Sequence, residues 1–84
     1  MIELKNIPLE GITQAEQIQK VYEEVDEFIQ AILNGDIDNA IEEYFDVLQS
    51  GLGALQKMGI SAEYVMSQYP KHLTKIKDRP RVKE

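Results

Sequence analysis

Two apolar stripes of helical period, separated by a single Asn34-Gly35 dipeptide, restrict this chain to an antiparallel helical pair. The first stripe is Ile18, Val21, Tyr22, Val25, Phe28, Ile29, Ile32 and Leu33. Thr13 and Glu16 precede it as a capping box, so a helix is expected from Thr13 to about Leu33. Asn34-Gly35 is a stop signal, and Asp36 can cap a second helix where an anion suits the helix dipole. That helix carries Ile37, Ala40, Ile41, Tyr44, Phe45, Val47, Leu48, Leu52, Leu55 and Met58 before Gly59 ends it. At 100° per residue these positions cover roughly 160°, more than packing on one neighbour needs. The surplus implies burial on two sides, hence self-association. Gly51 and Gly53 weaken the helix and suit close approach of another one.

The flanks are shorter. Residues 1–12, broken by Pro8 and Gly11, read as an extended segment lying against the helices. Ser61 caps a third helix whose apolar positions are Ala62, Val65, Met66 and Tyr69. Pro70 is expected to interrupt it, with a short basic helix from Lys71 to about Asp78. Residues 80–84 read as a frayed end. The expectation is one all-α domain spanning 1–84, an antiparallel bundle completed by self-association.

An 84-residue chain buries only about 60–65% of its unfolded surface, so its core is marginal. There is no cysteine and a single histidine, His72, which excludes disulfides, thiolate zinc sites and multi-histidine centres within one chain. The remaining supports are oligomerisation and metal binding by oxygen ligands. The N-terminus lacks the charge and apolar pattern of a signal peptide, and no run is apolar enough to span a membrane. The expected location is therefore the cytoplasm. A net charge of −6 argues against nucleic acid as a partner.

That charge is unevenly placed. Val21 to Gln56 holds nine acidic residues and no Lys, Arg or His. Lys71 to Lys83 holds six Lys/Arg residues plus His72 against one acid, Asp78. An acidic middle with a basic end fits a phosphate-rich small molecule held by metal on one side and cations on the other. Glu23-Glu24-Val25-Asp26-Glu27 and Glu43-Tyr44-Phe45-Asp46 place Glu24/Glu27 and Glu43/Asp46 as neighbours one helical turn apart. The short turn puts the two pairs at nearly the same height, so four carboxylates can converge. Hard oxygen ligands select Mg²⁺, or Mn²⁺, over metals that prefer soft donors. On the helical wheel all four lie off the main apolar stripe, the ordinary position of a solvated face. The aromatic residues sit mostly at core spacing.

The stretch from Gln19 to Ile32, with Lys20, Glu23, Glu24, Glu27, Ala31 and Ile32, resembles the first conserved block of the MazG-like all-α nucleoside triphosphate pyrophosphohydrolases. Ile41 to Leu48, with Glu42, Glu43, Asp46, Val47 and Leu48, resembles their second block. The resemblance covers roughly residues 15–79. It implies metal ligands at Glu24, Glu27, Glu43 and Asp46, with Glu23 as a helper carboxylate and Glu24 or Glu27 orienting the attacking water. It also implies cleavage of a nucleoside triphosphate between the α and β phosphates, giving the monophosphate and pyrophosphate, and assembly as a homodimer or homotetramer. Lys75 and Arg79 match a Lys/Arg pair that meets substrate phosphates in relatives. An NTP or dNTP is the expected substrate. Phosphoribosyl-ATP stands behind it, because no dedicated substrate signature is visible, and a helical interaction protein without turnover is the reading from another class.

Overall fold

The computed structural model describes residues 3–78. Among them are three helices, α1 (Gln14–Leu33), α2 (Ile37–Lys57) and α3 (Ala62–Asp78), and no strand. Among the described residues no helix is long and apolar enough to cross a membrane. Arg79 and residues 80–84, for which a frayed end is expected, lie outside the described residues.

The local signals act as their chemistry dictates. At the start of α1 the Glu16 amide donates to Thr13 Oγ1 at 3.1 Å, and the Thr13 amide donates to Glu16 Oε1 at 2.9 Å. The Thr13 backbone N–H, and after it the Thr13 side chain, favour the ionised carboxylate and hold Glu16 below its ordinary pKa. Between α1 and α2, Gly35 takes φ +68°, which a side chain would resist, and the Asp36 amide donates back to the Ala31 carbonyl at 3.0 Å. Asp36 then caps α2, accepting from the Asn39 amide at 3.3 Å. Ser61 caps α3 through the Tyr64 amide at 3.1 Å.

The tight turn folds α2 back along α1, and these two helices form the main packed layer. α3 makes at most slight contact with them and is tied to the N-terminal arm. The Ala62 amide donates to Asn6 Oδ1 at 2.8 Å, and the Leu4 amide meets Met66 Sδ at 3.2 Å. The arm is pinned to α2 as well. The Gln56 side-chain amide pairs with both backbone groups of Ile7, accepting from its N–H and donating to its carbonyl, each at 2.9 Å.

Two expectations are corrected here. α3 runs unbroken through Pro70. Proline removes one donor, the partner of the Met66 carbonyl, while Thr74 Oγ1 donates to the Pro70 carbonyl at 3.2 Å and the flanking turns carry the helix on. Most of the rings are not core within one chain: Tyr22, Tyr44, Phe45, Tyr64 and Tyr69 are all exposed, and Phe28 is half-buried. A single helical pair has one inner seam, and only small or well-placed residues such as Ala31, Leu52 and Ala62 are buried by it and its flanks. Ile29, Ile32, Leu33, Ile37 and Ile41 also face outward, with Leu33 and Ile37 each 73% exposed. The broad apolar face inferred from the sequence is thus present and uncovered in one chain.

Candidate metal centre and adjoining cleft

The α1–α2 seam follows a regular spacing. Its α1 members are Gln17, Val21, Glu24, Phe28 and Ala31, all buried or half-buried; its α2 members are Ala40, Glu43, Val47 and Ser50. Steps of three and four keep one narrow line facing the partner helix. The register is antiparallel. Gln17 meets Ser50, donating from Nε2 to its carbonyl at 2.9 Å, and Glu24 meets Glu43. Four polar residues therefore occupy positions that a purely structural pair would fill with Leu or Ile.

Carboxylate oxygens of Glu24, Glu27 and Glu43 lie within 4.8 Å of one another. Glu24 is only 6% exposed, Glu43 is half-buried and Glu27 faces solvent. Burial of Glu24 overturns its placement on a solvated face. The broad apolar stripe of α1 and the narrow seam are different lines on the helix, and Glu24 lies on the seam. The signal was the 17-21-24-28-31 spacing.

The electrostatics of the three are unbalanced. Glu24 Oε1 accepts from the Lys20 ammonium at 2.8 Å, but Glu24 Oε2 is buried with no hydrogen-bond partner among the described residues. Glu43 Oε2 is in the same condition. Desolvation is the main force holding the Glu43 pKa above its ordinary value. A hydrogen bond with Glu27, available to the protonated form, comes next, followed by the charges of Glu27, Asp46 and Glu24. Acceptor-only oxygens buried without donors are costly, and a cation placed among them removes that cost.

The remaining predicted residues are less close. Asp46 does not join the group of three, although its charge acts on Glu43 and it lines the cleft beside Glu24. Glu23 is exposed and acts on Lys20 through charge alone. Lys75 is exposed on α3 and lines no part of that cleft. Instead Lys20, just outside the cation-free stretch, reaches the carboxylates, and Glu24 holds its ammonium above the usual lysine value. The absence of cations from Val21 to Gln56 thus does not leave the carboxylates without an ammonium. A lysine one turn before Glu24 suffices.

A cleft of about 560 Å³ opens next to Glu24, between the arm and the two helices. Ile7, Pro8, Leu9 and Ile12 form one wall, and Gln17, Gln49 and Ser50 stand across from it. No local pattern marks this cleft, because the Gln56–Ile7 pairing that builds it joins residues 49 positions apart.

An all-α pair carrying a converging carboxylate group across its seam could hold a metal ion through oxygen ligands. The chain matches the family model described as phosphoribosyl-ATP pyrophosphohydrolase over residues 4–71, and it belongs to that family, within the MazG-like all-α nucleoside triphosphate pyrophosphohydrolases. No curated protein and no solved structure matches it. Membership makes it a pyrophosphohydrolase acting on a nucleotide phosphoanhydride, in a metal-dependent family.

Proposed function

We propose that this chain uses Mg²⁺ or Mn²⁺ to hydrolyse the α–β phosphoanhydride of phosphoribosyl-ATP, releasing pyrophosphate. The observation that carries the metal reading is the pair of buried, unpartnered oxygens on Glu24 and Glu43 beside Glu27. A fold kept only for binding has no use for that arrangement, which costs stability until a cation is present. The family match favours phosphoribosyl-ATP as substrate. Unmodified NTPs or dNTPs are the second reading. It is favoured by the cleft, where Lys20 is the one cation among the described lining residues and a further ribosyl phosphate would want another.

Glu24, Glu27 and Glu43 would hold the ion, with Asp46, one turn after Glu43, completing the ligand set. Once bound, the ion would supply charge neutralisation for the phosphates and a lowered pKa for a water molecule. Glu27 is the solvent-facing member of the three, so it is the one a water reaches, and it orients that water or takes its proton. Water oxygen bonds to phosphorus as the bridging α–β P–O bond breaks, and pyrophosphate leaves. Little covalent help from the protein is needed. Lys20 is placed to meet a phosphate oxygen from the cleft side.

Thermal unfolding with and without Mg²⁺ or Mn²⁺ tests the centre, and pyrophosphate release from phosphoribosyl-ATP, NTPs and dNTPs tests the substrate. At metal a hundredfold above its dissociation constant, linkage gives about 2.7 kcal/mol, or roughly 10–20 °C for a chain of this size. No rise at millimolar metal counts against the centre.

We also propose a homo-oligomer that covers the exposed apolar face. An apolar groove of about 430 Å³ between Phe28, Ile32, Ile37, Ile41 and Tyr44 supports it. Within one chain Lys75 lies off the cleft, so any contact of the basic helix with substrate phosphates runs through such an assembly. Sedimentation at micromolar concentration decides this, and a monomer there would remove the proposal.

A further inference from the structure

The arm wall of the cleft beside the carboxylates holds none of the residues assigned to breaking the anhydride, yet it is held in place. Gln56 clamps Ile7 through two hydrogen bonds of 2.9 Å, and Lys57 Nζ donates to the Leu9 carbonyl at 3.4 Å. Asn6 is fixed in turn by the Ala62 amide. The aliphatic wall is therefore formed before any ligand arrives. Across from it the Gln17 amide is already donating to the Ser50 carbonyl, whereas Gln49 is exposed and makes no hydrogen bond among the described residues. Its amide offers two donors and an acceptor to whatever enters. The arm side of the cleft is apolar, while the helices contribute Glu16, Lys20, Glu24 and Asp46 to its lining. A ligand suited to it has a flat, weakly polar body with hydrogen-bonding edges at one end and anionic groups at the other.

We propose that this arm–helix cleft seats the nucleoside moiety of the substrate, with Ile12 and its neighbours against the base and Gln49 bonding its edge. Gln56 is a positioning residue that acts by holding the arm. This inference rests on the pyrophosphohydrolase reading and names the part of the molecule that reads the substrate. The wall is aliphatic, so the base packs on Ile, Pro and Leu side chains and gains no ring stacking from this chain's cleft.

ATP and inorganic tripolyphosphate carry the same phosphates, but only ATP carries a nucleoside. Calorimetric titration of the full chain with each, at saturating Mg²⁺, separates the two ends of the site. ATP is expected to bind at least tenfold more tightly than tripolyphosphate. Gln49→Leu should weaken ATP about tenfold, the loss of one good hydrogen bond, and Ile12→Trp should fill the cleft and weaken it more. Neither should alter tripolyphosphate binding or the rise in Tm produced by Mg²⁺ alone. Gln56→Ala should lower ATP affinity in the same selective way. Equal affinities in the unmutated chain overturn the proposal, as do parallel losses of ATP and tripolyphosphate in both cleft variants. Loss of the response to Mg²⁺ alone would strike the metal centre instead, so the two failures are distinguishable.

Discussion

Glu43→Gln is expected to raise the melting temperature of the metal-free chain, abolish its rise with Mg²⁺ and stop pyrophosphate release. The first effect follows from repulsion. Burial and the charges of Glu27, Asp46 and Glu24 all oppose ionisation of Glu43. A neutral amide of the same shape removes that opposition and can donate to Glu27. The second follows from ligand loss, since an amide oxygen carries no charge to hold a cation. Activity should fall by at least a hundredfold, because even outer partners of metal ligands are worth about 10–100-fold. Few surface substitutions move apo stability and metal response in opposite directions. A metal-free variant less stable than the original chain would show that Glu43 serves the fold, and surviving turnover would break the ligand assignment.

The pH dependence has the matching sign. The folded-state pKa of Glu43 lies above its unfolded value, so within that window the folded chain binds the additional proton. Metal-free stability should therefore fall as pH rises through the window, and this component should vanish in Glu43→Gln. Glu16 acts the other way. Its pKa is lowered by the capping box, so its contribution is present above the unfolded value and lost as pH falls through the folded one. Unfolding curves of both chains from about pH 2 to about pH 7 separate these components.

Gly53→Ala should destabilise the chain, although alanine is the better helix former by about 1 kcal/mol. A Cβ at Gly53 would lie 2.5 Å from Gln17 Nε2 and 2.9 Å from its Cδ. Gln17 is 5% exposed and its amide is committed to the Ser50 carbonyl. Displacing it leaves a buried amide unpaired at a cost of about 1–3 kcal/mol, outweighing the helix gain. The net loss is up to about 2 kcal/mol, a fall in Tm of up to roughly 15 °C. Gly51 is the control. Nothing stands within 4 Å of a Cβ there, so Gly51→Ala should stabilise a lone chain by about 0.5–1 kcal/mol. In a Gln17→Ala background the penalty at Gly53 should disappear, because the clashing group is gone. Equal effects at the two glycines would refute the close contact.

This pair also shows how far residue types alone could be read. Two glycines in one helix invite one explanation. The structure gives them two, since Gln17 fills the space at Gly53 while the space at Gly51 is open. Glu24 and Glu27 are similar. Their three-residue spacing made them neighbours, but only packing made Glu24 buried and left Glu27 to solvent. Asp46 has the same spacing from Glu43, yet it stands apart from the three converging oxygens.

By itself the sequence determined α1 and α2, their caps, the antiparallel turn between them and the shared height of Glu24 and Glu43. These depend on interactions within a few residues: Thr13 with Glu16, Gly35 with its positive φ, Asp36 with Asn39. Only the tertiary structure decided which oxygens lose their water, that Lys20 enters the acidic group, and that the arm closes a cleft beside it. Those outcomes depend on contacts such as Gln17 with Ser50 and Gln56 with Ile7, 33 and 49 positions apart. Desolvation is a property of the space between elements, and local spacing carries no record of it.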